Sequence, residues 1–106
     1  MPLEGFNRRA TARYHLGHFE ESLEDISTVL EMEPRHFGAL SGRGLVQAKQ
    51  KDYTAACDSF AAALDVHPWY PGCLASLRHT KKKEAGQKAA RAAQGAEKTS
   101  AADTAV

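Results

Sequence analysis

A 34-residue internal repeat constrains this 106-residue chain more than any other feature of its sequence. When the chain is shifted against itself by that period, proline falls on proline, and aromatic, small and acidic positions keep their character. The paired positions are Phe6 with Leu40, Ala10 with Gly44, Phe19 with Tyr53, Ser22 with Ala56, Ile26 with Phe60, Leu30 with Leu64, Glu31 with Asp65, and Pro34 with Pro68. Self-similarity at such a period is typical of repeat proteins, in which each unit buries its apolar face against its neighbour.

Each unit predicts two helices joined by a short turn. Leu23, Ile26 and Leu30 form an amphipathic stripe in the first unit. Pro34 then ends that helix, because proline has no backbone N–H to continue the hydrogen-bond ladder, and Pro68 ends its counterpart. A fifth helix is predicted after the second unit, with Leu74 and Leu77 facing the preceding pair. The predicted helices cover residues 3 to about 15, 19–32, 38 to about 50, 53–66 and 72–83.

These positions resemble the tetratricopeptide repeat, which also places a glycine in the turn (Gly17 here) and a proline after its second helix. The resemblance covers residues 3 to about 83 and implies an all-α fold, a short α-solenoid of helix–turn–helix repeats with a C-terminal capping helix. The predicted divisions are repeat 1 (3–36), repeat 2 (37–70), a capping or third-repeat helix with a basic extension (71–94) and a disordered tail (95–106). Composition supports the last of these, since the tail is small, polar and without aromatic residues.

The sequence departs from the family pattern at three arginines and one glutamine. The leucine that the family's first helix usually buries is Arg9 in the first unit and Arg43 in the second. The following aromatic is Arg13 in the first unit and Gln47 in the second. A polar outer face suits a terminal repeat, so Arg9 and Arg13 are expected to stay in water. Arg43 is expected to reach the acidic second helix near Glu24 or Asp25, with its aliphatic stem packed.

The glycines of "HFGALSGRGL" admit two interpretations. A phosphate-binding loop needs a Gly-Lys-Ser/Thr ending or a G-x-G-x-x-G pattern after a strand, and "GRGLVQ" provides neither. The favoured interpretation is a helix with small residues at close contacts. Gly44 is then expected to face the core near Ala56 and Ala63, while Gly38 and Gly42 form the floor of a groove.

No catalytic or metal-binding pattern is found, and the sequence predicts neither an enzyme nor a cofactor. The five histidines form no H-x-x-x-H or H-E-x-x-H pair; His36 and His67 are expected to be solvated or capping residues in turns. Cys57 lies on a buried stripe, where a free cysteine acts as a small apolar residue. The carboxylates between Glu20 and Glu33 are predicted to form a solvated face.

The resemblance implies a protein–protein interaction module that binds an extended or helical peptide along its first helices. The ligand is expected to be acidic and to pass closely over the groove floor. The predicted groove residues are Asn7, Arg8, Thr11, Tyr14, Gly38, Ser41, Gly42, Leu45, Lys49, Ser76, His79 and Lys82. The clamp that chaperone-binding members use falls on Asn7, Thr11, Gly42, Gly72 and Ser76, which do not match it, so a chaperone C-terminus is not the expected partner.

Charge leaves two alternatives open. Residues 1–80 hold eight Lys/Arg against ten Asp/Glu, while residues 81–106 hold six against three. The basic tail could contact nucleic acid through phosphates, although no aromatic residue accompanies it for base stacking. Alternatively, because two units are few for a stable stack, the chain could homodimerise through exposed Leu3 and Phe6, or belong to a longer array.

The sequence also carries expectations about the compartment. No apolar run approaches the roughly 18 to 20 residues of a membrane span, and the N-terminus shows no secretory signal. Two cysteines without a disulfide framework favour a reducing compartment. A cytoplasmic location is therefore expected.

Overall fold

Helices account for all the regular secondary structure in the part of the chain that the structure describes. The computed structural model describes the backbone of residues 3–105 and the side chains of residues 3–93. In chain order the helices are α1 (Leu3–His15), α2 (Phe19–Met32), α3 (Phe37–Lys49), α4 (Tyr53–Val66) and α5 (Pro71–Ala105). The prediction of an all-α helical-repeat solenoid is confirmed. None of the described helices is both long and apolar enough to cross a membrane.

The predicted helix bounds agree closely with the observed ones. Those of α1, α2 and α4 coincide, while α3 begins and ends one residue earlier than predicted. The fifth helix begins at Pro71 and continues well past Lys83. The disordered tail predicted for residues 95–106 concerns residues outside those with described side chains, and it stays a prediction.

The turns are closed by local hydrogen bonds. Gly17 follows α1 with a φ of 81°, in the left-handed region that glycine adopts without a Cβ penalty. At the start of α3, the His36 imidazole Nδ1 accepts a hydrogen bond from the Ala39 amide at 3.0 Å, which confirms its predicted capping role. Asp52 caps α4 in the same way, through the Ala55 amide at 3.4 Å.

Two apolar clusters form the core. The first lies between α1, α2 and α3 and contains Ala10, Ile26, Val29, Ala39 and Val46. The second lies between α3, α4 and α5 and contains Leu40, Ala56, Phe60, Ala63 and Cys73. Leu30 packs against both clusters, so the two units share one continuous core. On α5, Leu77 packs as predicted, but the buried member is Cys73 rather than Leu74.

An arginine–aspartate network joins the two helices of the first unit. Arg9 donates two hydrogen bonds to the Asp25 carboxylate, from Nε at 2.9 Å and from Nη2 at 2.6 Å. Arg13 Nη1 donates a third at 2.9 Å. Both arginines keep contact with water, with side-chain exposures of 42% for Arg9 and 27% for Arg13, and each also pairs with Asp25, which was not predicted. Asp25 is 3% exposed, and its buried charge requires these partners.

The second unit repeats this network with neutral partners, a hydroxyl on α4 and an amide on α3. Arg43 Nε donates to Ser59 Oγ at 2.9 Å, and Ser59 Oγ donates to Gln47 Oε1 at 2.5 Å. The predicted pairing of Arg43 with Glu24 or Asp25 is wrong. Arg43 and Ser59 are the 34-residue counterparts of Arg9 and Asp25, so each unit satisfies its own arginine internally.

The outer face of α1 is more covered than predicted. Leu3 and Phe6 are partly buried and pack against the first cluster, and the Arg9 guanidinium lies over the Phe6 ring at 5.5 Å from its centroid. The expectation that these two are the exposed apolar residues is wrong. Leu16 and Met32 are the more exposed ones, at 70% and 59%.

Candidate functional site

The first helices of the successive units, α1, α3 and α5, share a surface that holds two adjoining cavities. The 34-residue period explains this surface, because residues one period apart occupy equivalent helix positions. Thr11, Leu45 and His79 form one such series, and each lines at least one of the cavities. Tyr14 and Leu45 line both cavities, so the two form one strip across the three helices.

The smaller cavity, here called the glycine cleft, lies between α1 and α3 and has a volume of about 120 Å³. Its walls are mostly apolar, and its floor contains Gly38 and Gly42. Six predicted groove residues meet here: Asn7, Thr11, Tyr14, Gly38, Gly42 and Leu45. The remaining lining residues are Ala10, His15, Ser22, Ile26 and Val46.

The larger cavity, here called the lysine pocket, lies between α3 and α5 beside the turn that precedes α4. Its volume is about 460 Å³. The predicted groove residues Lys49, Ser76 and His79 line it. It is also lined by Ala48, Lys51, Tyr53, Phe60, Thr80 and Lys83, together with the shared Tyr14 and Leu45.

Three predicted groove residues lie outside both cavities. Arg8 and Lys82 are exposed, and neither contributes to the lining of the cleft or the pocket. Ser41 is half-buried, and its hydroxyl donates a hydrogen bond to the Gly38 carbonyl at 3.3 Å. Each of these three residues is next in sequence to a residue that lines a cavity. Neighbouring side chains on a helix point about 100° apart, so a residue beside a lining residue can lie off the strip.

The three glycines of α3 stand in different surroundings. A Cβ on Gly44 would lie 2.7 Å from two Phe60 ring carbons and 2.9 Å from a third. Gly44 is buried as predicted and faces the Phe60 ring, which belongs to the same core cluster as Ala56 and Ala63, so it is glycine for a packing reason. A Cβ on Gly42 would meet only Ile26 Cδ1, at 3.8 Å. Packing within the fold does not require glycine there.

Lys51 is a charged residue of the lysine pocket that helix periodicity does not place in the groove. It has a φ of 64°, and it occupies the turn position that Gly17 occupies in the first unit. The hydrogen bonds of the two turns correspond, since Lys51 N donates to Ala48 O at 3.0 Å and Gly17 N donates to Tyr14 O at 3.1 Å. The signal in the sequence for Lys51 is its alignment with the turn glycine, Gly17, one 34-residue period earlier.

A third cavity lies where the second unit meets α5. It measures about 420 Å³ and is lined by Phe37, His67, Pro68, Trp69, Tyr70 and Pro71. Phe37 makes edge contacts with the His67 and Tyr70 rings, whose centroids lie 4.9 and 4.8 Å away. Trp69 is 87% exposed, which makes this an aromatic surface that the sequence analysis had not assigned to any site.

The buried cysteines are free thiols in an apolar setting. Burial raises the pKa of the Cys57 thiol, with a smaller contribution from Glu84, and burial alone raises that of Cys73. Both thiols are thereby kept protonated and unreactive at neutral pH. Cys73 also donates a weak hydrogen bond to the Phe60 carbonyl, at 3.6 Å.

Paired helices in a regular 34-residue register, with a strip of cavities along the first helix of each unit, define a helical-repeat protein. The family model for the tetratricopeptide repeat matches residues 7–70, more than half of the chain. This chain belongs to the tetratricopeptide repeat family. It is also similar to a TPR repeat-containing protein of Rhizobium etli, with 38% identity over 65 residues. That match covers 61% of this chain and 32% of the relative, so the chain spans about a third of the relative's length.

Proposed function

We propose that this protein is a non-catalytic interaction module that holds a peptide segment of a partner protein along α1, α3 and α5. Tetratricopeptide repeats generally mediate protein–protein interaction. The particular surface proposed is the continuous strip formed by the glycine cleft and the lysine pocket. This strip suits a peptide segment better than a flat protein surface. In the glycine cleft, the surrounding side chains stand above Gly38 and Gly42, which have no side chains of their own.

The glycine at position 42 carries this proposal. A glycine inside a helix costs about 1 kcal/mol relative to alanine, and the fold leaves room for a Cβ at Gly42. A ligand whose backbone approaches the helix closely gives a reason for glycine that internal packing does not. Gly38 also lines the cleft, and a Cβ there would lie 3.2 Å from the His36 ring and 3.5 Å from Asn7 Nδ2.

Replacing Gly42 with leucine is expected to abolish partner binding while the protein stays folded. The new side chain would extend into a cleft of about 120 Å³ and fill the space that the partner occupies. Affinity capture with quantitative mass spectrometry on the wild type and on Gly42→Leu measures this. The proteins of interest are those captured by the wild type and lost with the variant.

The matched control is Ala61→Leu, which adds the same side chain at an exposed position of α4, away from both cavities. It should capture the same proteins as the wild type. Circular dichroism and thermal unfolding of both variants verify that each is folded. A folded Gly42→Leu variant that retains every partner of the wild type would show that the cleft is not the binding site.

The two alternative functions stay hypotheses with their own tests. Sedimentation addresses homodimerisation. For nucleic acid, the exposed cations of α5 outside the lysine pocket, among the described side chains, are Arg78, Lys81, Lys82, Lys88 and Arg91, and Lys88 already pairs with Glu84 at 3.7 Å.

A further inference from the structure

The lysine pocket gathers positive charge from three separate elements. Lys49 comes from the end of α3, Lys51 from the following turn and Lys83 from α5, and His79 also lines the pocket. None of the eleven lining residues is an aspartate or glutamate. Within residues 3–93, none of the three lysines forms an ion pair, whereas Arg9, Arg13, Arg35 and Lys88 all do. The pocket is a concave site with uncompensated positive charge.

Lys51 has a backbone conformation that is unfavourable for a residue with a side chain, so a lysine at this position lowers the stability of the fold. Residues with a side chain rarely adopt a φ near 64°, and the equivalent position in the first unit is glycine. Lys51 is exposed, so no packing of its side chain compensates for the unfavourable conformation. Unfavourable backbone conformations of this kind concentrate at functional positions.

The turn is also fixed relative to α5. Gln87 Nε2 donates a hydrogen bond to the Lys51 carbonyl at 3.1 Å, across 36 residues of sequence. Because Gln87 lies about one helical turn beyond Lys83, this bond holds the Lys51 and Lys83 sides of the pocket in a defined relation. The backbone that carries Lys51 and Lys83 is thus arranged before any ligand binds, which lowers the entropic cost of binding.

We propose that the lysine pocket binds carboxylate side chains of an acidic peptide segment, with Lys49, Lys51 and Lys83 as the cationic contacts. This inference rests on the proposed function and specifies one end of the bound segment. The partner would place small or apolar residues over the glycine cleft and acidic residues at the Lys51 end. Charge complementarity favours an acidic ligand because three like charges around one cavity repel each other until an anion enters.

The test is a titration of the protein with a capped hexaglutamate peptide at low ionic strength. Binding is monitored through the NMR chemical shifts of the backbone amides. Chemical-shift changes are expected at residues 49–53 and 76–83, and the apparent affinity should fall as salt is added. Lys51→Gly is expected to weaken binding by about threefold to fivefold, the loss that one partly exposed ion pair predicts. Lys49→Ala and Lys83→Ala should weaken it by similar factors.

Lys88→Ala is the matched control, since Lys88 is an exposed lysine of α5 outside the pocket. It should change the affinity for the peptide by less than about twofold. Lys51→Gly also separates binding from folding, because glycine adopts the left-handed conformation freely. Its Tm should therefore equal or exceed that of the wild type while its affinity falls.

Three results would overturn the inference. They are shift changes centred on residues 84–93 instead of the turn, equal losses of affinity for Lys51→Gly and Lys88→Ala, and no saturable binding at all. Either of the first two would indicate a general attraction of polyanions to α5, and titration with a single-stranded oligonucleotide would then show whether nucleic acid is preferred. Failure of the proposed function is distinguishable, because Gly42→Leu tests the cleft with whole proteins and leaves the lysines intact.

Discussion

Replacing Gly44 with alanine is expected to destabilise the protein by about 1 to 3 kcal/mol, the usual cost of overpacking a well-filled core. The added methyl group would lie 2.7 Å from two ring carbons of Phe60, well inside van der Waals contact. Phe60 is 1% exposed and lies in the second core cluster, so its ring cannot move without displacing neighbours. Urea denaturation followed by circular dichroism measures the change.

Gly42→Ala is the matched control for this prediction. Both positions lie in the middle of α3, so both substitutions gain about 1 kcal/mol of helix propensity. The control meets no obstacle closer than 3.8 Å and should therefore be more stable than the wild type. Equal stability changes for the two variants would show that Phe60 does not limit the space at Gly44. In the Phe60→Leu background Gly44→Ala should cost less than it does in the wild type, because the smaller side chain leaves room for the methyl group.

Replacing Asp25 with alanine is expected to cost about 2 to 4 kcal/mol of unfolding free energy. Breaking a buried ion pair costs about 3 to 5 kcal/mol, and the partly exposed arginine heads reduce this figure because water can solvate them. The Asp25 carboxylate accepts hydrogen bonds from Arg9 and Arg13 and so links α2 to α1. Urea denaturation at neutral pH measures the loss.

Asp65→Ala is the comparison for Asp25→Ala. Asp65 is an aspartate of α4 whose side chain is 79% exposed, and it lies 3.7 Å from the Arg35 guanidinium. Surface pairs of this kind contribute about 0 to 1 kcal/mol. Its removal should change stability far less than the removal of Asp25. Comparable losses at the two positions would indicate that burial of the Asp25 network adds nothing.

The same network predicts a dependence on acid. The hydrogen bond from Arg9, followed by the charges of Arg9 and Arg13, holds the pKa of Asp25 below its usual range. Because the pKa is lower in the folded state than in the unfolded state, the stabilisation is present above the unfolded value of about 3.9. It is lost as the pH falls from there through the folded pKa. Across that window the wild type should lose stability more steeply than Asp25→Asn, as measured by urea denaturation at successive pH values.

Much of the candidate site follows from helix periodicity, but Lys51, its most informative residue, does not. Asn7, Thr11 and Leu45 were placed on the groove because residues at fixed spacing share one face of a helix. Lys51 was missed because it lies in a turn, where no helical period applies, and because its contribution depends on Lys83 approaching from another unit. The same mapping places Arg8 and Lys82 on the groove, although neither lines a cavity.

By itself, the sequence determined the repeat, the bounds of its helices and the family, because these follow from local periodicity, turn glycines and prolines that one stretch of chain specifies on its own. Only the tertiary structure decided which groups meet. It paired Arg43 with Ser59 rather than with the acidic helix, set Phe60 against Gly44, and assembled the lysine pocket from α3, α5 and the turn at Lys51. Those contacts depend on how successive units stack, and the angle between packed helices is a property of the whole interface that no single segment encodes.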